Sequence, residues 1–438
     1  MGISRVSWLN VVLGTLTLAA GSLQAQEPAK AEGIGGYARV VEEKGGDAIR
    51  LEMAAREFAS QTPGRPKVFL IGAVHIADKK FYDSVQEFLD QQDVVLFEGV
   101  KPAGSGDAEH GLPTDDDGKA KITAQRIRFV AAAVEMYRGK HKELPADTKE
   151  LVEGSDNRIK SLLPGALEDG WAHPLMYEKR QPPAVDGTEP KDRFRDFDLY
   201  SFGSDGKAGG EGAGADVHYI DEKPVSPPEK GDRSEGIQTK LATATGLVFQ
   251  LEAMNNTKPN WRNSDLSIDQ VQSRLEKAGA DGSALFKLLD GSSFMGKFAG
   301  VLLGLVSSTA EGKAMLRVMM IEMLGHADVM MDSMPGGMGK LMGVILEDRN
   351  DVLAADIKKV IETEPNVKSI AAIYGAGHLP GVQKRLAEFG YQPVGDTWRV
   401  AMRVDAKEAG LSAAQMKQTR QMIQKMVEAQ TKKKGDGK

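Results

Sequence analysis

The chain has no cysteine. Disulfides, thiolate metal ligands and a cysteine-linked lipid anchor are therefore excluded, and any bound metal must be held by imidazole or oxygen donors. A basic surplus is also missing: 56 Lys and Arg face 62 Asp and Glu, for a net charge of −6 spread without a cationic patch. Nucleic acid is excluded as a partner on that ground, since its phosphates demand clustered positive charge. Beyond the amino-terminal stretch no apolar run is long enough to cross a bilayer. The best of them, Phe298 to Val306, is short and lies between Lys297 and Glu311.

The amino-terminal stretch, Met1 to Ala25, has one early cation (Arg5), an apolar centre from Val11 to Ala20 and small residues near Ala25. This is the layout of a secretory signal peptide and predicts an exported chain, periplasmic or extracellular, with no membrane span after cleavage. Leu23, three positions before the expected cut, is not small, so an uncleaved anchor is the alternative. About 410 residues follow residue 25, enough for two or three domains with their own cores.

The chain is organised around Lys67 to Val100. An apolar run (Val68 to Ile71) leads into a glycine turn ending in His75. A helix-period segment from about Asp78 to Gln91 follows, and then a second apolar run (Val94 to Phe97) closes on Glu98. Short apolar runs flanking an amphipathic helix predict a βαβ unit with parallel, buried strands. Asp78 stands where a helix cap is expected. Ser369 to Gly381 repeats the pattern, an apolar run closing on Gly-x-x-His with His378. If both runs join one parallel sheet, His75, His378 and Glu98 converge on the edge where open α/β folds bind ligands.

Two neutral imidazoles and a carboxylate suit Mn, Fe, Co or Zn with positions left open for water. Glu98 is either a third ligand or the general base acting on that water, and the sequence leaves both roles open. Gly72, Gly375 and Gly377 are expected to let the backbone approach the metal or substrate. Arg349 is a candidate for stabilising an oxyanion or clamping a substrate carboxylate, against a surface ion pair with Glu347 or Asp348. Asp265 most simply caps the helix beginning near Ser267. His110, His141, His173, His218 and His326 have no partner at ligand spacing and are expected to be surface or structural residues.

Composition shifts at Pro102 to Gly118 and at Asp221 to Arg233, both expected to be linkers. Between them Ile122 to Tyr137 is helical in period, Trp171 to Tyr177 and Phe197 to Phe202 are strand candidates, and a glycine-dense loop runs from Gly203 to Tyr219. The fold class expected is α/β: a parallel-sheet host with a helical subdomain, interrupted by a small α+β insert. Leu285 to Met342 is expected to be helical and methionine-rich, a core stripe or a groove for a flexible peptide. Ala406 to Lys438 is expected to be a peripheral amphipathic helix with a lysine tail.

The motifs GAVH (Gly72 to His75), LFEGV with Glu98, KPNWRNSDLS from Lys258, EDRN with Arg349 and Asn350, and YGAGH ending at His378 occur in one order. On these the host, residues 35–105 and 233–403, resembles the TraB/GumN family, related to the TIKI metalloproteases. The resemblance implies a divalent-metal centre at His75, Glu98 and His378 and peptidase-like hydrolysis of a peptide or protein.

The insert, residues 121–219, is similar to the globular domain of the type II secretion major pseudopilin, GspG. The matching residues are Tyr137, Leu144-Pro145, DGWAHPLMY from Asp169 and DLYSFGSDGKAGGEGAGAD from Asp198 to Asp216. This resemblance implies calcium held by Asp205, Asp216 and the Leu199 carbonyl, with Glu211 as a further donor, and an envelope or secretion-system partner. Gly170 stands where that family usually has proline, Ala213 and Gly214 where it commonly has a polar residue, and the apolar pilin stem is absent. Together these readings predict an exported metal-dependent hydrolase. The alternative is a non-catalytic protein that sequesters a peptide while docked to an envelope or secretion assembly.

Overall fold

The computed structural model describes residues 36–43, 46–106, 113–181, 196–221, 225, 241–242, 244–279, 309–325, 343–422 and 425. In chain order the strands are β1 (Ala38–Glu42), β2 (Ala48–Ser60), β3 (Lys67–Ala73), β4 (Ile76–Ala77), β5 (Val94–Phe97), β6 (Met176–Lys179), β7 (Phe197–Ser201), β8 (Val217–His218), β9 (Val248–Phe249), β10 (Trp261–Asn263), β11 (Ser369–Gly375) and β12 (Tyr391–Asp405). The helices are α1 (Lys79–Leu89), α2 (Asp116–His141), α3 (Thr148–Gly154), α4 (Asn157–Ala166), α5 (Gln250–Ala253), α6 (Ile268–Lys277), α7 (Ala310–Leu324), α8 (Arg349–Thr363) and α9 (Leu379–Glu388). The chain forms two compact units. The first holds Met1–Glu98, Arg233–Asn255 and Ala278–Lys438, and the second Gly99–Asp232 and Asn256–Lys277.

In the first unit the two expected apolar runs form β3 and β5, but they are not neighbours. β11 lies between them and is parallel to both, with Gly375 opposite Ala73 and Ile373 opposite Phe97. All three strands are nearly continuous in buried apolar residues, as strands covered on both faces must be. On one face Val68, Leu70, Leu96, Ile370 and Ala372 pack with Leu353, Ile357 and Val360 of α8 and Leu379, Val382 and Leu386 of α9. Each such side chain contributes roughly 1.5–3 kcal/mol on burial. The other face carries α1, whose Phe88 ring meets Phe69 edge to face at 5.2 Å.

The sheet is mixed, which corrects the expectation of a parallel one. β2 runs antiparallel to β1, β3 and β12. These strands escape the sequence pattern because charges interrupt them, and the two buried ones, Arg56 and Glu52, are paired with more exposed partners. Arg56, 1% exposed, is held by Asp396 at 2.7 Å, and Glu52 by Arg39 and Arg50, each at 2.6 Å. Asp78 takes the cap position of α1 without a side-chain cap bond. Its carboxylate instead faces Arg317 at 3.4 Å. The carboxyl-terminal segment is not peripheral as far as it is described: Met416 and Thr419 are buried, and Arg420 pairs with Glu322 and Glu42. Of the expected methionine-rich groove only 309–325 is described, where Met319 of α7 is core. The signal-peptide stretch, Phe298 to Val306, and most of 221–233 lie outside the described residues. No helix among the described residues is long and apolar enough to cross a membrane.

The second unit is built on α2, longer at both ends than its apolar period suggests because Asp115 caps it and Lys142 closes it in the left-handed region. Its Ile127, Val130, Val134 and Tyr137 pack against Leu151, Leu163, Phe197, Leu199 and Tyr219. β7 pairs antiparallel with β6 and β8. The first aromatic strand candidate is displaced: Ala172, with φ +67°, puts Trp171 in a turn, and the strand begins only at Met176.

The described part of the expected linker at Pro102 is packed, with Ser105 buried. It is tied to Asn256–Lys277, so KPNWRNSDLS lies in the second unit rather than with the host. Lys101 N–H donates to Leu266 O (2.9 Å) and Gly104 N–H to Asp269 Oδ1 (3.0 Å). Asp265 lies three residues ahead of Ile268, the first residue of α6. Fully buried, it accepts from Gly99 N–H (2.9 Å) and Leu266 N–H (2.8 Å).

Candidate metal centre and calcium loop

The ends of β3, β11 and β5 carry the expected motifs. Because β11 is central, its outgoing turn lies beside Glu98, which follows β5. Gly375 N–H donates to Glu98 Oε2 (2.6 Å), and a Cβ on Gly375 would stand 3.2 Å from that oxygen. Gly375 is thus in direct contact with the Glu98 carboxylate. Gly72 is not: a Cβ there would press on Tyr37 O at 3.1 Å, away from the chemistry. Gly377 is half-buried in the turn before α9.

Arg349 opens α8, directly after a π-helical turn at Gly343–Asp348. It is 8% exposed, and its Nη2 donates to Glu98 Oε1 at 2.7 Å. Its partner is thus the site carboxylate, and Glu347 pairs with Arg385 instead. His378 is buried at the start of α9, with Nε2 3.6 Å from Glu98 Oε1 and 3.4 Å from Arg349 Nη1. Tyr374 packs edge to face on its ring at 5.4 Å. Asn350, 1% exposed, faces His378 Nδ1 with Oδ1 at 2.8 Å. Burial raises the Glu98 pKa, but the charges of Arg349, His378 and His75 and the Gly375 N–H outweigh it and hold the carboxyl at about 2.

His75 is exposed between β3 and β4, and its carbonyl accepts from Gln250 N–H (2.8 Å). Among the described residues no group of three His, Cys, Asp or Glu is arranged to hold a metal ion. Glu98 and His378 supply two facing donors, and the Nδ1 partner of His378 is the orienting contact that a ligating imidazole requires. These donor types suit a divalent transition metal, but two of them are fewer than the three protein ligands such a catalytic ion takes. The fixed cation of Arg349 at 2.7 Å competes for the same carboxylate oxygen. Asn350 was not singled out for a role by sequence reasoning, although it sits beside Arg349 in EDRN.

In the second unit Asp205 Oδ1 accepts from Lys207 N–H (3.0 Å), and Asp216 Oδ2 from Gly209 N–H (2.9 Å). Asp216 Oδ1 is buried without a hydrogen-bond partner among the described residues. Leu199 lies in β7, and Glu211 is exposed ahead of the short turn at Gly212–Gly214. His218, expected to be surface or structural, donates through Nδ1 to Asp198 Oδ2 at 2.7 Å. His173 Nδ1 faces Gly203 O at 3.0 Å, and the His141 ring stacks on Tyr137. His110 and His326 lie outside the described residues. Gly170 has a structural reason: a Cβ would sit 2.3 Å from Lys119 O, and its N–H donates to Thr123 Oγ1 (2.8 Å), so proline fits on neither count.

Residues 112–220 match the family described as Type II secretion system (T2SS), protein G. The insert is therefore protein G-like over a range that encloses the expected 121–219. No curated protein and no solved structure matches the chain.

Proposed function

We propose that the first unit is an exported hydrolase assisted by a divalent transition metal (Mn, Co, Fe or Zn) and acting on peptides or proteins, and that the protein G-like unit attaches it to an envelope or secretion assembly. The observation that carries the first half is the buried His378–Glu98–Arg349 cluster at the carboxyl ends of parallel strands, where α/β sheets bind ligands. A match of residues 112–220 to protein G supports the second half.

His378, Glu98 and His75 would hold the metal, with His75 the exposed arm. Bound there, it would supply a water of lowered pKa and a polarised carbonyl. Arg349 keeps Glu98 ionised in a buried setting and presents guanidinium donors to negative charge developing on a substrate oxygen, or to a substrate carboxylate. The glycine-dense loop of the insert is proposed to take calcium through Asp205, Asp216 and the Leu199 carbonyl.

The test is turnover of a peptide library with Mn or Co, alongside metal content by elemental mass spectrometry, for the wild type and for His75→Ala and His378→Ala. Loss of both metal and turnover in the variants is expected. Equal turnover in wild type and both variants overturns the hydrolase. One observation favours the binding-protein alternative: a carboxylate engaged by the Arg349 guanidinium at 2.7 Å is a weak general base. Peptide binding that survives metal removal, without cleavage, would select that reading.

A further inference from the structure

We infer that Asn350 is a positioning residue that fixes His378 in the Nδ1–H tautomer and so presents the Nε2 lone pair to the Glu98 side of the site. The assignment, made for the neutral ring, follows from the groups within hydrogen-bond distance of each nitrogen; Glu98 Oε1, at 3.6 Å from Nε2, lies beyond it. A guanidinium only donates, so Arg349 Nη1, 3.4 Å from His378 Nε2, requires Nε2 to accept. The ring proton of the neutral imidazole then lies on Nδ1, which donates to Asn350 Oδ1 at 2.8 Å. The orientation of the amide follows from the same bond: Nδ1–H needs an acceptor, so Oδ1 faces the ring and Nδ2 points away from it. Asn350 Nδ2 lies against Gly381, where a Cβ would come within 2.4 Å of it. Gly381 is thus the second member of the device: its missing side chain is the space the amide occupies.

The arrangement costs helix geometry nothing, because Asn350 sits in the first turn of α8 and His378 at the start of α9, and these helices share one core. Both groups are buried, so water does not compete for the bond. An acceptor on the far nitrogen raises the basicity of a ligating imidazole and fixes its plane, and its loss typically costs 10–100-fold in metal affinity. The functional weight of the inference rests on the metal-centre reading, but the tautomer does not.

The experiment is nitrogen NMR of the full chain with labelled histidine, the His378 signals being identified by their loss in His378→Gln, together with titration by zinc. In wild type the Nδ1–H pattern is expected. Asn350→Ala should mix in the Nε2–H pattern and weaken zinc roughly 10–100-fold. Asn350→Asp, which keeps an acceptor, should restore both. Gly381→Ala should shift the pattern in the same direction, since its methyl displaces the amide. An Nε2–H pattern in wild type, or one unchanged in folded Asn350→Ala, overturns the inference. If zinc binds wild type but the pattern ignores Asn350, the positioning role fails and the metal centre stands. If the pattern obeys Asn350 but wild type binds no zinc, Mn or Co, the metal centre fails and the positioning role stands.

Discussion

Glu98 shows how a single side chain can be located from sequence while its state cannot. Its place after an apolar run is legible, because a buried parallel strand must end somewhere near the ligand-binding edge. The state depends on Arg349 and Gly375, far along the chain, which hold the carboxylate at about 2. The sign of the consequence is fixed. The ordinary value is 4.5, so the folded form binds this proton less readily than the unfolded form. Its contribution is fully present above about 4.5 and is lost as pH falls from there towards about 2. A shift of that size is worth on the order of 3 kcal/mol. Glu98→Gln is expected to lower stability at pH 7 by a few kcal/mol, since it leaves Arg349 buried without its charge partner, and to flatten the decline below pH 4.5. Denaturant melts of both proteins between pH 7 and 3 check this, and parallel curves would refute it. Asn350 escaped a sequence reading for a related reason: an asparagine next to an arginine has no local pattern, and its bond to His378 exists only because α8 and α9 pack together.

Among the elements, those specified by local pattern were the readable ones. β3, α1, β5, β11 and α2 follow apolar period, and the structure moves their ends by a few residues at most, except where capping extends α2. β2 and β12 were invisible because Arg50, Glu52, Arg56 and Asp396 break their alternation, and pairing, Glu52 with Arg39 of β1 and Arg50 of its own strand and Arg56 with Asp396 of β12, makes the buried charges tolerable. The order β3-β11-β5 was likewise beyond a local reading, since it requires a late strand to enter between two early ones. The ends of α2 make opposite predictions. Asp115 accepts from Gly118 N–H at 2.8 Å, so Asp115→Ala should cost about 1 kcal/mol. Lys142 caps the other end at φ +67°, a left-handed conformation that glycine adopts without strain. Lys142→Gly should therefore stabilise by about 0.5 kcal/mol. Urea midpoints of the full chain decide it, and equal signs for the two variants would contradict the capping geometry.

At the scale of the molecule, the chain holds two compact units with separate cores, one centred on β3, β11 and β5 and the other on α2 and β7. Their membership was only partly legible: Asn256–Lys277 belongs with the second unit through Asp265, Asp269 and Leu266, whose bonds reach back to Gly99, Gly104 and Lys101. Separate cores mean that ligands of different units should stabilise different parts of the thermal profile. An ion at 100 times its dissociation constant adds about 2.7 kcal/mol to the unit that binds it, or roughly 5–10 °C for a unit of 150–250 residues. Calcium, through Asp205 and Asp216, is expected to raise only the transition of the protein G-like unit and to lose its effect in Asp216→Asn. Mn or Zn is expected to raise only the other transition and to lose its effect in His378→Ala. Calorimetry of the full chain measures both. A calcium shift that persists in Asp216→Asn would remove the ion from the glycine-dense loop. A single transition moved by either ion would show that the two cores unfold as one, and the insert would then be a thermodynamic part of its host rather than a passenger in it.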